Sequence, residues 1–106
     1  RVLHEAPGIK VKELTLAPKQ SISYQKHNHR SEFWMVAEGT ASVILATEDE
    51  ADLAQYTLNK HEGFIVSRGY WHKITNPTLA PLQIVEIQFG DQCEEEDIER
   101  KSLDTN

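Results

Sequence analysis

Short runs rich in Val, Ile, Tyr, Phe and Thr recur along the chain, each bounded by Gly, Pro, Asn or a charged cluster. Such runs read as β-strands, because branched and aromatic side chains fit a pleated, half-buried surface. The pattern predicts strands at Ile9–Leu16, Ser21–His29, Phe33–Ala37, Thr40–Ala46, Ala54–Leu58, Gly63–Val66, His72–Asn76 and Leu82–Phe89. Pro7-Gly8, Ala17-Pro18-Lys19, Glu38-Gly39, Asn59-Lys60, Arg68-Gly69 and Asn76-Pro77 supply the breaks. Short strands at this spacing imply an antiparallel barrel or sandwich. The acidic stretch Glu48–Asp52 reads as an exposed hairpin loop. Asp91–Asn106 is a polar, acidic tail centred on Glu94-Glu95-Glu96-Asp97, expected to be a short surface helix or irregular, with mobile last residues.

Ser21–His29 carries the most chemistry. Side chains along a strand alternate faces, so Ser21, Ser23, Gln25, His27 and His29 share one side and Ile22, Tyr24, Lys26 and Asn28 the other. A wholly polar face ending in two imidazoles either meets water or lines a wet pocket. His27 and His29 are about 6–7 Å apart by strand rise, close enough to converge on one ion with metal–nitrogen bonds near ~2 Å. Glu32 follows after a short bend as a candidate carboxylate ligand, and barrel closure would bring His72 to the same point. Singly, the His-x-His pair and Glu32 are more often solvated surface groups and His72 a hydrogen-bonded, partly buried histidine; the case for a metal rests on the four together. Neutral imidazoles with a carboxylate suit zinc, manganese, iron, cobalt or nickel as one divalent ion.

The length of 106 residues suits one domain over residues 1–106. So small a core makes a homodimer through an apolar sheet face a reasonable expectation. A net charge of −6 disfavours a general nucleic-acid binder, which needs a basic face for phosphates. The single cysteine cannot form an internal disulfide or a Cys-rich zinc module, and it suits a cytoplasmic setting. No apolar run approaches the ~20 residues of a membrane helix, and no signal-peptide pattern is visible; no membrane partner is expected.

These motifs resemble the cupin superfamily. Its first motif runs Gly, five residues, His-x-His, three or four residues, Glu, six residues, Gly; His27, His29, Glu32 and Gly39 match it, with two residues between His29 and Glu32. Its second runs Gly, five residues, Pro-x-Gly, two residues, His, three residues, Asn; Gly63, Gly69, His72 and Asn76 match its latter half, with Ser67 in place of Pro. The likeness is closer to the type II mannose-6-phosphate isomerase domain, which often stands at the C-terminus of mannose-1-phosphate guanylyltransferases. It is carried by Ser21-Ile22-Ser23-Tyr24-Gln25, His29-Arg30-Ser31-Glu32-Phe33-Trp34, Gly69-Tyr70-Trp71-His72, Pro81–Gln88 and Glu95-Glu96-Asp97-Ile98-Glu99-Arg100. Lys19 replaces the usual turn Gly, while Asn28 and Phe33 stand where that branch often has His. The resemblance implies an all-β double-stranded β-helix, or jelly-roll barrel, with metal ligands His27, His29, Glu32 and His72. It also implies a sugar-phosphate substrate, mannose 6-phosphate converted to fructose 6-phosphate.

Arg30, Arg68 and Lys73 flank the ligand positions as candidate phosphate binders, though salt bridging on the surface is the commoner role for each. Gln25, Glu86 and Gln88 point toward the same pocket by strand parity, with Glu86 the candidate catalytic base and the two glutamines candidate substrate contacts. Their bland alternative is a polar interior satisfied by water. Two rivals to the isomerase remain: a metal- and sugar-binding module without chemistry, and an oxygen-activating iron cupin. Fold alone does not separate them.

Overall fold

The computed structural model describes residues 1–91, 93 and 96–101. Ten strands follow one another: β1 (Val2–Ala6), β2 (Ile9–Leu16), β3 (Tyr24–Lys26), β4 (Arg30–Glu38), β5 (Ala41–Ala46), β6 (Leu53–Leu58), β7 (Gly63–Val66), β8 (Trp71–Thr75), β9 (Leu82–Gly90) and β10 (Glu99–Lys101). They form two five-stranded sheets, ordered β1-β2-β9-β4-β7 and β10-β3-β8-β5-β6. Every recorded pairing is antiparallel. The architecture is the all-β jelly roll expected from the sequence. The described residues contain no helix, and the tail expected to be helical or irregular instead contributes edge strand β10 at Glu99–Lys101. Its centre at Glu94 and Glu95, and the terminal residues 102–106, lie outside the described residues.

The interior is set by which residues alternate inward. Trp34, Val36, Val43, Ile74, Leu82 and Ile84 form the main apolar core, each almost fully buried. Its partners across the first sheet lie in register: Leu14 opposite Ile84, Ile84 opposite Val36, Leu16 opposite Leu82. Farther along the same strands the inward residues turn polar: Lys10 opposite Gln88, Gln88 opposite Glu32, Lys12 opposite Glu86. Asn76 finishes the apolar end, where its buried Nδ2 donates to Leu16 O at 3.0 Å and to Ala80 O at 2.7 Å, tying β8 to the turn before β9. On the outer side of the second sheet Tyr24 stacks on Trp71, with ring centroids 5.2 Å apart.

Gly39 needs its lack of a side chain, because its φ is +93° and a Cβ would come within 2.7 Å of Pro81 O. Gly63 serves a different need: a Cβ there would meet the Phe33 ring at 2.7 Å. The left-handed positions ahead of the two cupin-like motifs are held by Lys19 (φ 66°) and His61 (φ 71°), where glycine would be the easier residue. Both are uncommon conformations for residues with side chains.

Candidate metal centre

The polar end of the barrel encloses a cavity of about 180 Å³ lined by Lys12, Leu14, Ile22, Gln25, Arg30, Glu32, His72, Glu86, Gln88, Ile98 and Arg100. A groove of about 210 Å³ between Leu53, Tyr56 and Tyr70 carries no imidazole, so the chemistry lies in the smaller space. Four elements deliver its reactive groups. β4 brings Glu32, β8 brings His72, β9 brings Glu86 and Gln88, and the bend after β3 brings His27. His27, Glu32 and His72 are buried, and their ligating atoms lie within 4.8 Å of one another.

The tautomers follow from the partners. His27 Nδ1 is 2.6 Å from Asp97 O. A carbonyl only accepts, so Nδ1 carries the proton and Nε2 carries the lone pair. That lone pair faces Glu32 Oε2 at 3.3 Å. His72 repeats the arrangement less tightly, with Nδ1 3.4 Å from Tyr70 O and Nε2 3.7 Å from Glu32 Oε1. Burial holds both imidazoles below their usual pKa, His72 at about 3, and Arg30 adds to the lowering of each. Both rings are therefore neutral near pH 7. Two lone pairs and a carboxylate converge on one buried point, a set of acceptors that calls for a cation. Arg30 answers part of that demand: its Nε donates to Glu32 Oε2 at 2.9 Å and its Nη2 to His27 Nε2 at 3.1 Å. Gln88 Oε1, buried nearby, accepts no hydrogen bond among the described residues. The His/Glu/His cluster is thus compatible with a metal ion in both donor chemistry and spacing.

Glu86 sits beside this cluster. Burial, then the Glu32 carboxylate, push its pKa up to about 7, while Gln88 Nε2 donates to its Oε1 at 2.7 Å and pulls the other way. Trp34 Nε1 donates to Glu32 Oε1 at 3.1 Å and fixes that carboxylate from the apolar side.

Of the residues singled out from the sequence, the cavity gathers Gln25, Arg30, Glu32, His72, Glu86 and Gln88, with His27 at its edge through Arg30 and Glu32. His29 does not join them. It is exposed and lies outside the cluster. The reason is local: β3 stops at Lys26, so residues 27–29 form a bend and the two-residue alternation fails there. The motif then reads two residues earlier. Four residues separate His27 from Glu32, the general cupin spacing, so Gln25 holds the place of the first imidazole. Gln25 is the ladder partner of His72, which turns it into the cavity. Five residues separate Lys19 from Gln25, so Lys19 stands where the motif has its turn Gly. Five residues likewise separate His61 from Ser67, so His61 and not Gly63 stands at the head of the second motif.

Arg68 and Lys73 also miss the cavity. Arg68 is exposed and its Nη1 pairs with Asp91 Oδ2 at 3.2 Å. Lys73 neighbours the inward His72 on β8, so alternation turns it to the opposite face. Lys12 and Arg100 line the cavity instead. The parity of β2 would have marked Lys12, had the register with β9 been known; Arg100 needed the strand in the tail.

Solved structures share this barrel. The Cnp3 cupin domain of Schizosaccharomyces pombe superposes with a TM-score of 0.74 at 16% identity, covering 86% of this chain and 59% of that one. A Klebsiella pneumoniae protein with a double-stranded β-helix domain gives 0.77 at 19%, covering 96% and 82%. At these identities the likeness speaks for the fold. Sequence relatives are nearer. The alginate biosynthesis protein AlgA of Pseudomonas putida is 37% identical over 90 residues, 85% of this chain and 17% of that protein. A mannose-1-phosphate guanylyltransferase of Salmonella muenchen is 32% identical over 99 residues, 93% of this chain and 20% of that protein. The chain thus spans about a fifth of the length of the curated relatives it matches. A family model described as mannose-6-phosphate isomerase C-terminal matches residues 1–103. On that match the chain belongs to the mannose-6-phosphate isomerase C-terminal family, with a cupin fold.

Proposed function

We propose that this domain is a metal-dependent sugar-phosphate isomerase that interconverts mannose 6-phosphate and fructose 6-phosphate. The observation that supports the reading most is the pairing of a buried His/Glu/His cluster with a second carboxylate, Glu86, whose proton affinity is raised into the neutral range. His27, Glu32 and His72 would hold one divalent ion, with Gln25 beside them in the place of the missing imidazole. When bound, such an ion polarises a carbonyl oxygen and stabilises negative charge developing on it.

The chain's own residues supply the rest. Isomerisation moves a proton between C1 and C2 of the open-chain sugar. A carboxyl with a pKa of about 7 takes and returns a proton near neutrality. Gln88 orients that carboxylate through Oε1. The cavity of about 180 Å³ is smaller than the ~300–1,000 Å³ of a typical ligand pocket, so it suits the reacting end of the sugar. The phosphate then lies toward the rim, where Lys12 and the exposed Arg100 face it.

A coupled assay for fructose 6-phosphate tests this reading. Turnover that disappears on chelation and returns with added metal is expected, and Glu86→Gln should lower kcat by about 10²–10⁴-fold. Sugar phosphate bound tightly and left unchanged would instead identify a binding module.

A further inference from the structure

We infer that the C-terminal segment Asp97–Lys101 is a clasp that sets the tautomer of His27, and that Asp97 is its positioning residue. The inference takes the His27–Glu32–His72 cluster as the site and adds what holds it ready.

Residues 27–29 lie between β3 and β4, outside either ladder. Their backbone N–H groups therefore need other partners. Asp97 supplies two of the three: Oδ1 accepts from Asn28 N at 2.9 Å and Oδ2 from His29 N at 2.8 Å. The same residue's carbonyl accepts the His27 Nδ1 proton at 2.6 Å, across 70 positions of sequence. One residue thus fixes the bend with its side chain and the ring with its backbone. Rotation about the bend would misplace the ring and take Nε2 off Arg30, and loss of the carbonyl would leave the Nδ1 proton without its acceptor; with both contacts weakened the proton can move to Nε2. A metal-ligating imidazole is commonly held in this way, and losing such a partner typically costs 10–100-fold in metal affinity.

The rest of the segment keeps Asp97 in place. Glu99, Arg100 and Lys101 pair in register with Lys26, Gln25 and Tyr24. Glu99 accepts from Asn28 Nδ2 at 3.0 Å and pairs with Lys26 Nζ at 3.2 Å. Lys101 lies 4.5 Å over the Trp71 ring and pairs with Glu50 of the β5–β6 loop. Ile98 and Arg100 meanwhile form part of the cavity wall. Order in this segment and order at His27 are therefore one event.

Nitrogen-15 NMR of the imidazole rings in chelator-treated protein tests the inference directly. Wild type should show His27 with a protonated Nδ1 and a bare Nε2. Asp97→Ala should move His27 to a mixture of tautomers while His72, held by Tyr70 O, keeps its signature. Zinc affinity should fall about 10–100-fold in the same variant, and Asp97→Asn, which keeps one carboxylate-like oxygen, should fall between. If Asp97→Ala proves too unstable to study, the Asn variant decides by the same readings. His27 unchanged in tautomer, or both histidines shifting together as in general loosening, would overturn the inference. Should wild type bind no metal, the reading of the site fails while the tautomer measurement still judges the clasp.

Discussion

The two ends of the barrel interior are built on the same strands and differ in almost every inward residue. On β2 the inward series runs Lys10, Lys12, Leu14, Leu16; on β4, Arg30, Glu32, Trp34, Val36; on β9, from its other end, Leu82, Ile84, Glu86, Gln88. One end is a close-packed apolar core. The other holds buried carboxylates, imidazoles and a guanidinium, whose transfer from water is costly unless each is paired. The apolar end carries the fold and the polar end draws on it. Trp34 stands at the border, its ring edge-on to His72 with centroids 5.2 Å apart and its Nε1 bonded to Glu32. If the division is real, substitutions at the two ends should separate stability from metal binding.

The largest effect belongs to the apolar end. Ile84 is 1% exposed and packs between Leu14 and Val36 in the ladder. Ile84→Ala should cost about 2–5 kcal/mol in urea unfolding. Zinc bound by the folded fraction should keep its affinity, because no ligand is touched. Coupled loss of both would show that the core and the site are one unit.

The polar end should respond in the opposite sense. Glu86 keeps its proton up to about pH 7 in the folded chain, against 4.5 for an exposed glutamate. Between those values the unfolded chain has released a proton that the folded chain still holds, so stability falls as pH rises through the window. The whole span corresponds to ~3 kcal/mol. In chelator-treated protein Glu86→Gln should remove that slope and be the more stable protein at pH 8. A slope that survives the substitution would place the cost elsewhere. Metal should relieve the same end: at 100 times its dissociation constant it should add about 2.7 kcal/mol to wild type. His72→Ala should lose most of that gain, and Ile84→Ala should keep it.

The same division explains what could be read from sequence. Period-two patterning placed β2 and β7 at their observed limits and found β4, β5, β6, β8 and β9 to within a few residues. It passed over β1, whose residues Val2–Glu5 are exposed, and β10, which has no apolar residue to mark it. The pattern over Ser21–His29 predicts one long strand, yet only Tyr24–Lys26 is regular, and parity carried through the bend places His29 in the site where the chain does not. Gln25, Glu86 and Gln88 were found because parity holds within β3 and β9. Lys12 and Arg100 were not, because which cation faces a cavity depends on register between strands far apart in sequence. Arg68 and Lys73 are near His72 along the chain but not in space around the cavity, because nearness in sequence does not fix the face of a strand.

The smallest effect concerns how the polar end is closed. Leu16, Leu82 and Asn76 close the apolar end by packing and hydrogen bonds to backbone, none of which titrates. The polar end is fastened from outside by charge. Glu50 pairs with Lys101 and accepts from Tyr24 Oη at 2.9 Å, and both contacts hold its carboxyl below the usual value. A depressed carboxyl contributes stability that is present above its unfolded pKa of about 4.5 and lost as pH falls through the lower folded value. Acid should therefore loosen β10 before the core. Amide hydrogen exchange should show Arg100 and Lys101 losing protection as pH falls below the ordinary glutamate value of 4.5, while Val36 and Ile74 keep theirs. Lys101→Ala should produce the same loss already at neutral pH, and salt should weaken the wild-type contact by screening so exposed a pair. Protection that fell equally at both ends would mean that the barrel opens as a whole, and the division drawn from its inward residues would describe composition without describing how the molecule comes apart.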